Sequence, residues 1–299
     1  MVPAMPRPGQ CLRVRFLSSF FAFACTLPVF AEGAKDLLVL SKSSGFEHSS
    51  IVRKDNRGTS HVEEVLNRIA KRIGLEVFGT KDASVIRASE LEKLDAVIFY
   101  TTGDLTQRGT GKGIFGGDGE PAMGPTGVAD LIRWVEEGGA LLGFHPAADT
   151  FHDPTGAPSP YIRLLGGEFL THGQQFPGRL RIVDPDHPAM AHIPQDWTVL
   201  DEWYVFKNMA VDRVHVLALL DPSSDPHGQD AYKRAPYPVI WCAAVGKGRV
   251  FYSAMGHRED VWDNPVFQQG LIDALNWALG KTPLDAEPNY DAVVPAPTQ

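Results

Sequence analysis

The chain has 299 residues, 43% of them hydrophobic, and carries 36 Asp and Glu against 28 Lys and Arg, a formal net charge of −8. That balance argues against nucleic acid and against an anionic membrane surface as partners. Three cysteines cannot build a disulfide framework, so the fold must rest on a full hydrophobic core, for which the length is ample.

Residues 1–31 read as a signal peptide. Arg7, Arg13 and Arg15 form a basic start, and residues 16–30 are mainly apolar but too short and interrupted to span a bilayer. Val29 and Ala31 place small residues before a cut at Glu32. The expected location is periplasmic or secreted. Cleavage removes three arginines and no acid, moving the balance from −8 to −11, and leaves Cys242 as the one remaining cysteine.

From there strand and helix patterns alternate. Residues 36–40 read as a buried strand, followed by a small-residue loop carrying His48. Ser60 and Glu63 have capping-box spacing ahead of Val62, Val65, Leu66 and Ile69, the apolar stripe of a helix that Gly74 stops. Residues 75–78 and 96–100 are further strands. Six glycines between Gly109 and Gly119 mark either a lid or a plain surface loop; the Lys-Ser/Thr ending of a phosphate loop is missing. A helix over residues 128–137 leads through Gly138-Gly139 into the strand Ala140-Leu141-Leu142-Gly143-Phe144, which ends in His145, with Asp149 four residues on. Strands follow at 179–183, 214–220, 239–244 and 249–253, and a helix at 265–279. The Pro-rich tail, residues 282–299, is expected to be loosely held. The alternation predicts one α/β domain, residues 32–281, on a mainly parallel sheet. The later strands either extend that sheet or form an antiparallel flap.

Three segments deliver a histidine just past a strand: His48, His145 and His257. In an open parallel sheet, ligands bind at the carboxyl ends of the strands, so all three emerge on the binding edge. Asp201-Glu202-Trp203-Tyr204 sets two acids beside two aromatics. Several imidazoles with a carboxylate make either an acid/base site or a site for a divalent metal such as zinc. His152, His187, His192, His215 and His227 read as structural. Cys242 lies in an apolar run and reads as a core thiol, and no Gly-x-Ser-x-Gly is present, so an ordinary serine or cysteine hydrolase is not expected. Trp203, Tyr204, Trp262 and Tyr161 offer rings that can either stack on a sugar face or pack in the core.

These motifs resemble the trehalose-utilisation (ThuA-like) family. The matching pieces are Gly45-Phe46-Glu47-His48, the run from Gly143 through His145 and Asp149 to Phe151, Leu165-Gly166-Gly167-Glu168-Phe169 with His172, the stretch 184–188, Asp201-Glu202-Trp203-Tyr204, and residues 251–257. They span residues 36–281. The resemblance implies a class I glutamine-amidotransferase-like fold, a flavodoxin-like sheet flanked by helices. His145 stands where amidotransferase relatives carry their cysteine, and His257-Arg258-Glu259 supplies their His-x-Glu spacing, so glutamine hydrolysis is not expected. The resemblance further implies a carbohydrate substrate, a keto-sugar made by a partner sugar dehydrogenase. Isomerisation, epimerisation or elimination at the ketone would follow, with a non-catalytic carbohydrate-binding role as the alternative. The expected catalytic residues are His145, His257, Glu202 and Asp149. His48, His172, Trp203, Tyr204 and Glu259 are expected to bind substrate, and His48, His145, Glu202 and His257 to hold any metal. Asp149 either orients a histidine or caps the next segment.

Overall fold

Beyond Met1, the computed structural model describes residues 35–54 and 58–296. The signal peptide expected over residues 1–31, with its cleavage site, lies outside the described residues. In chain order the first half runs β1 (Lys35–Leu40), α1 (His61–Lys71), β2 (Leu75–Thr80), α2 (Ala88–Leu91), β3 (Ala96–Phe99), α3 (Gly127–Glu137), β4 (Ala140–Phe144) and α4 (Pro160–Leu165). The second half runs β5 (Glu168–His172), β6 (Phe176–Ile182), β7 (Asp196–Asp201), β8 (Tyr204–Lys207), β9 (His215–Asp221), β10 (Tyr237–Val245), β11 (Gly248–Ser253), α5 (Glu259–Asp263), α6 (Pro265–Ala278) and α7 (Tyr290–Val293).

Among the described residues one sheet has the order β2-β1-β3-β4-β11-β10-β9-β6-β7. Its first five strands are parallel and the remaining four continue it antiparallel. β3 and β4 are apolar and buried along their whole length, as central strands covered on both faces must be. Successive residues of β4 show the two layers. Gly143 faces Leu165 of α4, while Phe144 packs its ring on Phe267 of α6. The helix α1 starts as its spacing predicts: Ser60 accepts from the Glu63 amide and Glu63 from the Ser60 amide.

β5 and β8 form a separate antiparallel ribbon. The later strands therefore do both things the sequence allowed: five join the sheet, four of them antiparallel, and two stand apart as a flap. The tail departs from its expectation, because residues 282–289 are pinned rather than loose. The Asp285 and Glu287 carbonyls accept from His187 and His215, the Leu284 carbonyl from the Trp277 indole, and the Asn289 side chain bridges both backbone groups of Val216. The prolines prevent regular structure there without preventing these contacts.

Candidate functional site

The register of the parallel strands builds the site. β4 and β11 pair so that Phe144 lies level with Ser253, and the two chains leave the sheet side by side. The next residue on each, His145 and Ala254, meets across the gap: His145 Nδ1 donates to the Ala254 carbonyl at 2.8 Å. That bond places the proton on Nδ1 and leaves the Nε2 lone pair facing inward. His145 has φ +38°, in the left-handed region, and Tyr252 donates its hydroxyl to the His145 carbonyl at 2.7 Å.

His48 arrives from the loop after β1, and His257 from the turn after β11 that Gly256 opens at φ +109°. Glu202 lies between β7 and β8. One ligand atom from each of His48, His145, Glu202 and His257 lies within 4.8 Å of all the others. His145 Nε2 is 3.2 Å from His257 Nδ1 and 3.5 Å from Glu202 Oε2, which is itself 3.3 Å from His257 Nδ1. His48 Nδ1 is enclosed without a hydrogen-bond partner.

Electrostatics divides these groups. Burial, then the neighbouring His145 and His257, holds His48 well below the usual imidazole range. Burial works against charge on His257, but the hydrogen bond it donates to Glu202, together with the negative charge of Glu202, Asp201 and Glu259, outweighs it and raises its pKa. Burial alone would raise Glu202; the neighbouring imidazoles of His145 and His257 hold it well below the usual carboxylate range. Asp201, wholly buried behind the site, is pushed up by desolvation to about 6. Its two oxygens accept from the Glu202 and Gly256 amides at 2.9 and 2.7 Å.

The cluster closes one end of a cavity of about 450 Å³. Its polar lining is His48, Asp149, His172, Glu202 and His257, and its aromatic lining is Phe46, Phe115, Phe169 and Tyr204. His145 lies fully buried behind them, its ring 4.2 Å from that of Tyr204. His172 reaches Glu202 Oε1 at 3.3 Å. Seven of the nine expected site residues thus come together. Trp203 and Glu259 do not. Trp203 is buried in the core, donating Nε1 to the Phe176 carbonyl, because it sits on the opposite side of the strand end from Glu202 and Tyr204. Glu259 opens α5 and bonds Ser49. Trp262 and Tyr161 are likewise core residues, bonded to the Gly256 and Ala147 carbonyls. Asp149 resolves as the partner of a histidine: its carboxylate is 2.6 Å from His152 Nε2.

Phe115 was not expected at the site. It is carried there by the glycine-rich loop, which Lys42 ties down through Asp118 and the Arg108 and Glu120 carbonyls. Phe46 and Phe169 lay within motifs already noted, and only the fold shows that their rings face the cavity.

A sequence model of the family described as trehalose utilisation (ThuA) matches residues 36–278. A ThuA-like protein from Bacteroides uniformis ATCC 8492 has a similar structure at 19% identity, with TM-score 0.62, covering 86% of this chain and 97% of that one. Another, from Parabacteroides merdae ATCC 43184, is 16% identical with TM-score 0.60 and covers 83% and 91%. At these identities the likeness shows the fold. No curated protein is significantly similar to the chain.

Proposed function

Because the chain belongs to the trehalose-utilisation (ThuA) family, we propose that its pocket acts on a carbohydrate carrying a ketone, by moving a proton on the carbon beside the carbonyl. The observation that supports this most is the convergence of three imidazoles and a carboxylate in a cavity whose lining, among the described residues, holds no cysteine, serine or threonine. Such a site has proton carriers but no aliphatic hydroxyl or thiol nucleophile. The aromatic wall of Phe46, Phe115, Phe169 and Tyr204 suits the apolar face of a sugar ring.

His48, held neutral, is in the form that accepts the C–H proton, and His257, paired with Glu202, is in the form that donates to the ketone oxygen. The product is an enediol. Returning the proton at another carbon or on the other face isomerises or epimerises the sugar; loss of an oxygen substituent one carbon further eliminates it. His48, His145, Glu202 and His257 also fit a first-row divalent ion such as zinc, through three imidazole nitrogens and a carboxylate oxygen. The unpartnered His48 Nδ1 and the inward lone pair of His145 support that fit. When bound, the ion would supply positive charge at the ketone oxygen. We further propose that residues 1–31 export the protein and that a sugar dehydrogenase provides the ketone.

The test is deuterium uptake. A 3-keto-disaccharide is incubated in D₂O with chelator-treated protein and with protein given zinc or manganese, and exchange beside the carbonyl is followed by NMR. Exchange above the buffer rate, lost in His257→Ala, is the expected result. Binding without exchange in every metal state would leave a carbohydrate-binding protein instead, and neither binding nor exchange would end the carbohydrate reading.

A further inference from the structure

A second charged assembly stands behind the pocket wall, apart from the histidine cluster. Asp149, at the end of the short turn after β4, lines the cavity. Its Oδ1 is 2.6 Å from Nε2 of His152, and Nδ1 of His152 is 2.5 Å from Oε1 of Glu168. Glu168, the first residue of β5, has no exposed surface. Lys207, directly across the ribbon on β8, reaches the same Oε1 at 3.2 Å, and Asn208 donates to Oε2 at 2.6 Å.

Counting protons shows what this chain of groups can do. An ionised carboxylate only accepts, so an imidazole between two of them either donates from both nitrogens as imidazolium or has passed one proton to a carboxylate. Glu168 is fixed as an acceptor by Lys207 and Asn208. The proton that can move is the one between His152 and Asp149, and Asp149 is the member that faces the cavity. The charged groups facing His152 are Asp149 and Glu168, with Lys207 behind Glu168, and the carboxylates raise its pKa, Asp149 foremost.

We propose that Asp149 is the general acid of the pocket, recharged by His152 with Glu168 as the positioning residue, and that the reaction it serves is elimination of the glycosidic substituent from a keto-glycoside. This rests on the keto-sugar reading and selects among its outcomes. The histidine cluster takes the proton beside the ketone, and the C–H electron pair forms the enolate. The enolate re-forms the carbonyl and expels the oxygen bonded one carbon further, which takes its proton from Asp149. Asp149 holds that proton because His152 has passed it across from Nε2, and solvent then returns a proton to Nε2 of His152. The products are an unsaturated keto-sugar and a free alcohol, with no net oxidation. A site for isomerisation alone would have no use for this second acid.

The experiment compares 3-keto-glucosides whose leaving groups run from 4-nitrophenol to methanol. General acid catalysis contributes on the order of 10²–10⁴-fold where the leaving group needs a proton. Asp149→Asn should therefore lose about that factor with the methyl glycoside and under about tenfold with the nitrophenyl one. His152→Gln should show the same trend more weakly, with the high-pH fall in rate moved to lower pH, and Asp149→Glu should recover part of the loss. In ¹⁵N NMR both ring nitrogens of His152 should stay protonated beyond the ordinary imidazole range in the wild type but not in Asp149→Asn. Equal losses across all leaving groups, with deuterium uptake beside the ketone intact in the wild type, would overturn the acid role alone. Absence of that uptake in the wild type would overturn the keto-sugar reading beneath it.

Discussion

Lys42 offers a quantitative test of how the pocket is assembled. It lies two residues past β1 and has no exposed surface. Its ammonium meets Asp118 Oδ1 at 3.0 Å and the carbonyls of Glu120 and Arg108 at 2.9 and 3.2 Å, so one cation holds both ends of the glycine-rich loop. Asp118 also accepts from the amides of Ser43 and Glu120. Lys42→Met keeps the stem and removes all three donors. Breaking a buried ion pair from one side costs about 3–5 kcal/mol. Asp118 keeps two backbone donors, which places the expected loss near the lower end, about 3 kcal/mol, or about 6–12 °C in Tm for a chain of this size. The assay is urea unfolding together with limited proteolysis of residues 109–117. The loop can relieve part of the penalty by letting go, in which case cleavage appears there and sugar affinity falls, because Phe115 leaves the pocket wall. Adding Asp118→Asn should recover part of the stability by removing the stranded charge. A Lys42→Met protein within about 1 kcal/mol of wild type, with its loop uncleaved, would refute the account.

Asp201→Asn should cost about 1–3 kcal/mol, since one of the two buried amides at Glu202 and Gly256 then faces an NH₂ group in place of an acceptor; calorimetric titration with zinc should show weaker binding, and wild-type affinity would remove Asp201 from the positioning of the cluster. His152 should tie stability to pH. Its folded pKa is raised, through Asp149 first, so its contribution is fully present below the unfolded pKa of about 6.5 and is lost as pH rises through the folded value. The gap in urea midpoint between wild type and His152→Gln should therefore be widest near pH 5.5 and close towards pH 9. A gap that widens with pH would reverse the assignment of charge.

The sequence was legible where one principle dominated. The continuous apolar runs at 96–99 and 140–144 read as covered parallel strands because no other element of that length is apolar on both faces. The carboxyl ends of the parallel strands β1, β4 and β11 then located His48, His145 and His257 on one edge. The ribbon was not legible. β5 has a single buried residue, Glu168, at one end, and its exposed positions follow no alternation. Trp203 was misplaced for a related reason: only two residues, Glu202 and Trp203, separate β7 from β8, and the direction of each side chain depends on the bend there. The link from His152 to Glu168 was not legible, because only the folded chain brings the two together. Periodicity reports burial along an element; it does not report which two loops meet.

The backbone of His145 bears on why this position carries the site. A non-glycine residue in the left-handed region costs about 1–2 kcal/mol, and at His145 that conformation is held between the parallel pairing of β4, the Ala254 carbonyl and the Tyr252 hydroxyl. The turn aims the imidazole into the cluster at the first residue beyond the sheet. With that strain in place, replacing the side chain should reverse the usual order of small residues. In ordinary backbone alanine is favoured over glycine by about 0.5–1 kcal/mol, through the entropy of the unfolded chain. At a φ of +38° alanine retains the clash of its Cβ and glycine does not. His145→Gly should therefore unfold at a urea midpoint equal to or above that of His145→Ala, a difference of about 0–1.5 kcal/mol in favour of glycine. Both variants leave the same cavity to within a methyl group and lose the same hydrogen bond, so the comparison isolates the backbone. An alanine variant more stable than the glycine variant by about 0.5 kcal/mol or more would show that position 145 adopts an ordinary conformation, and that the inward aim of the imidazole is not enforced by the turn.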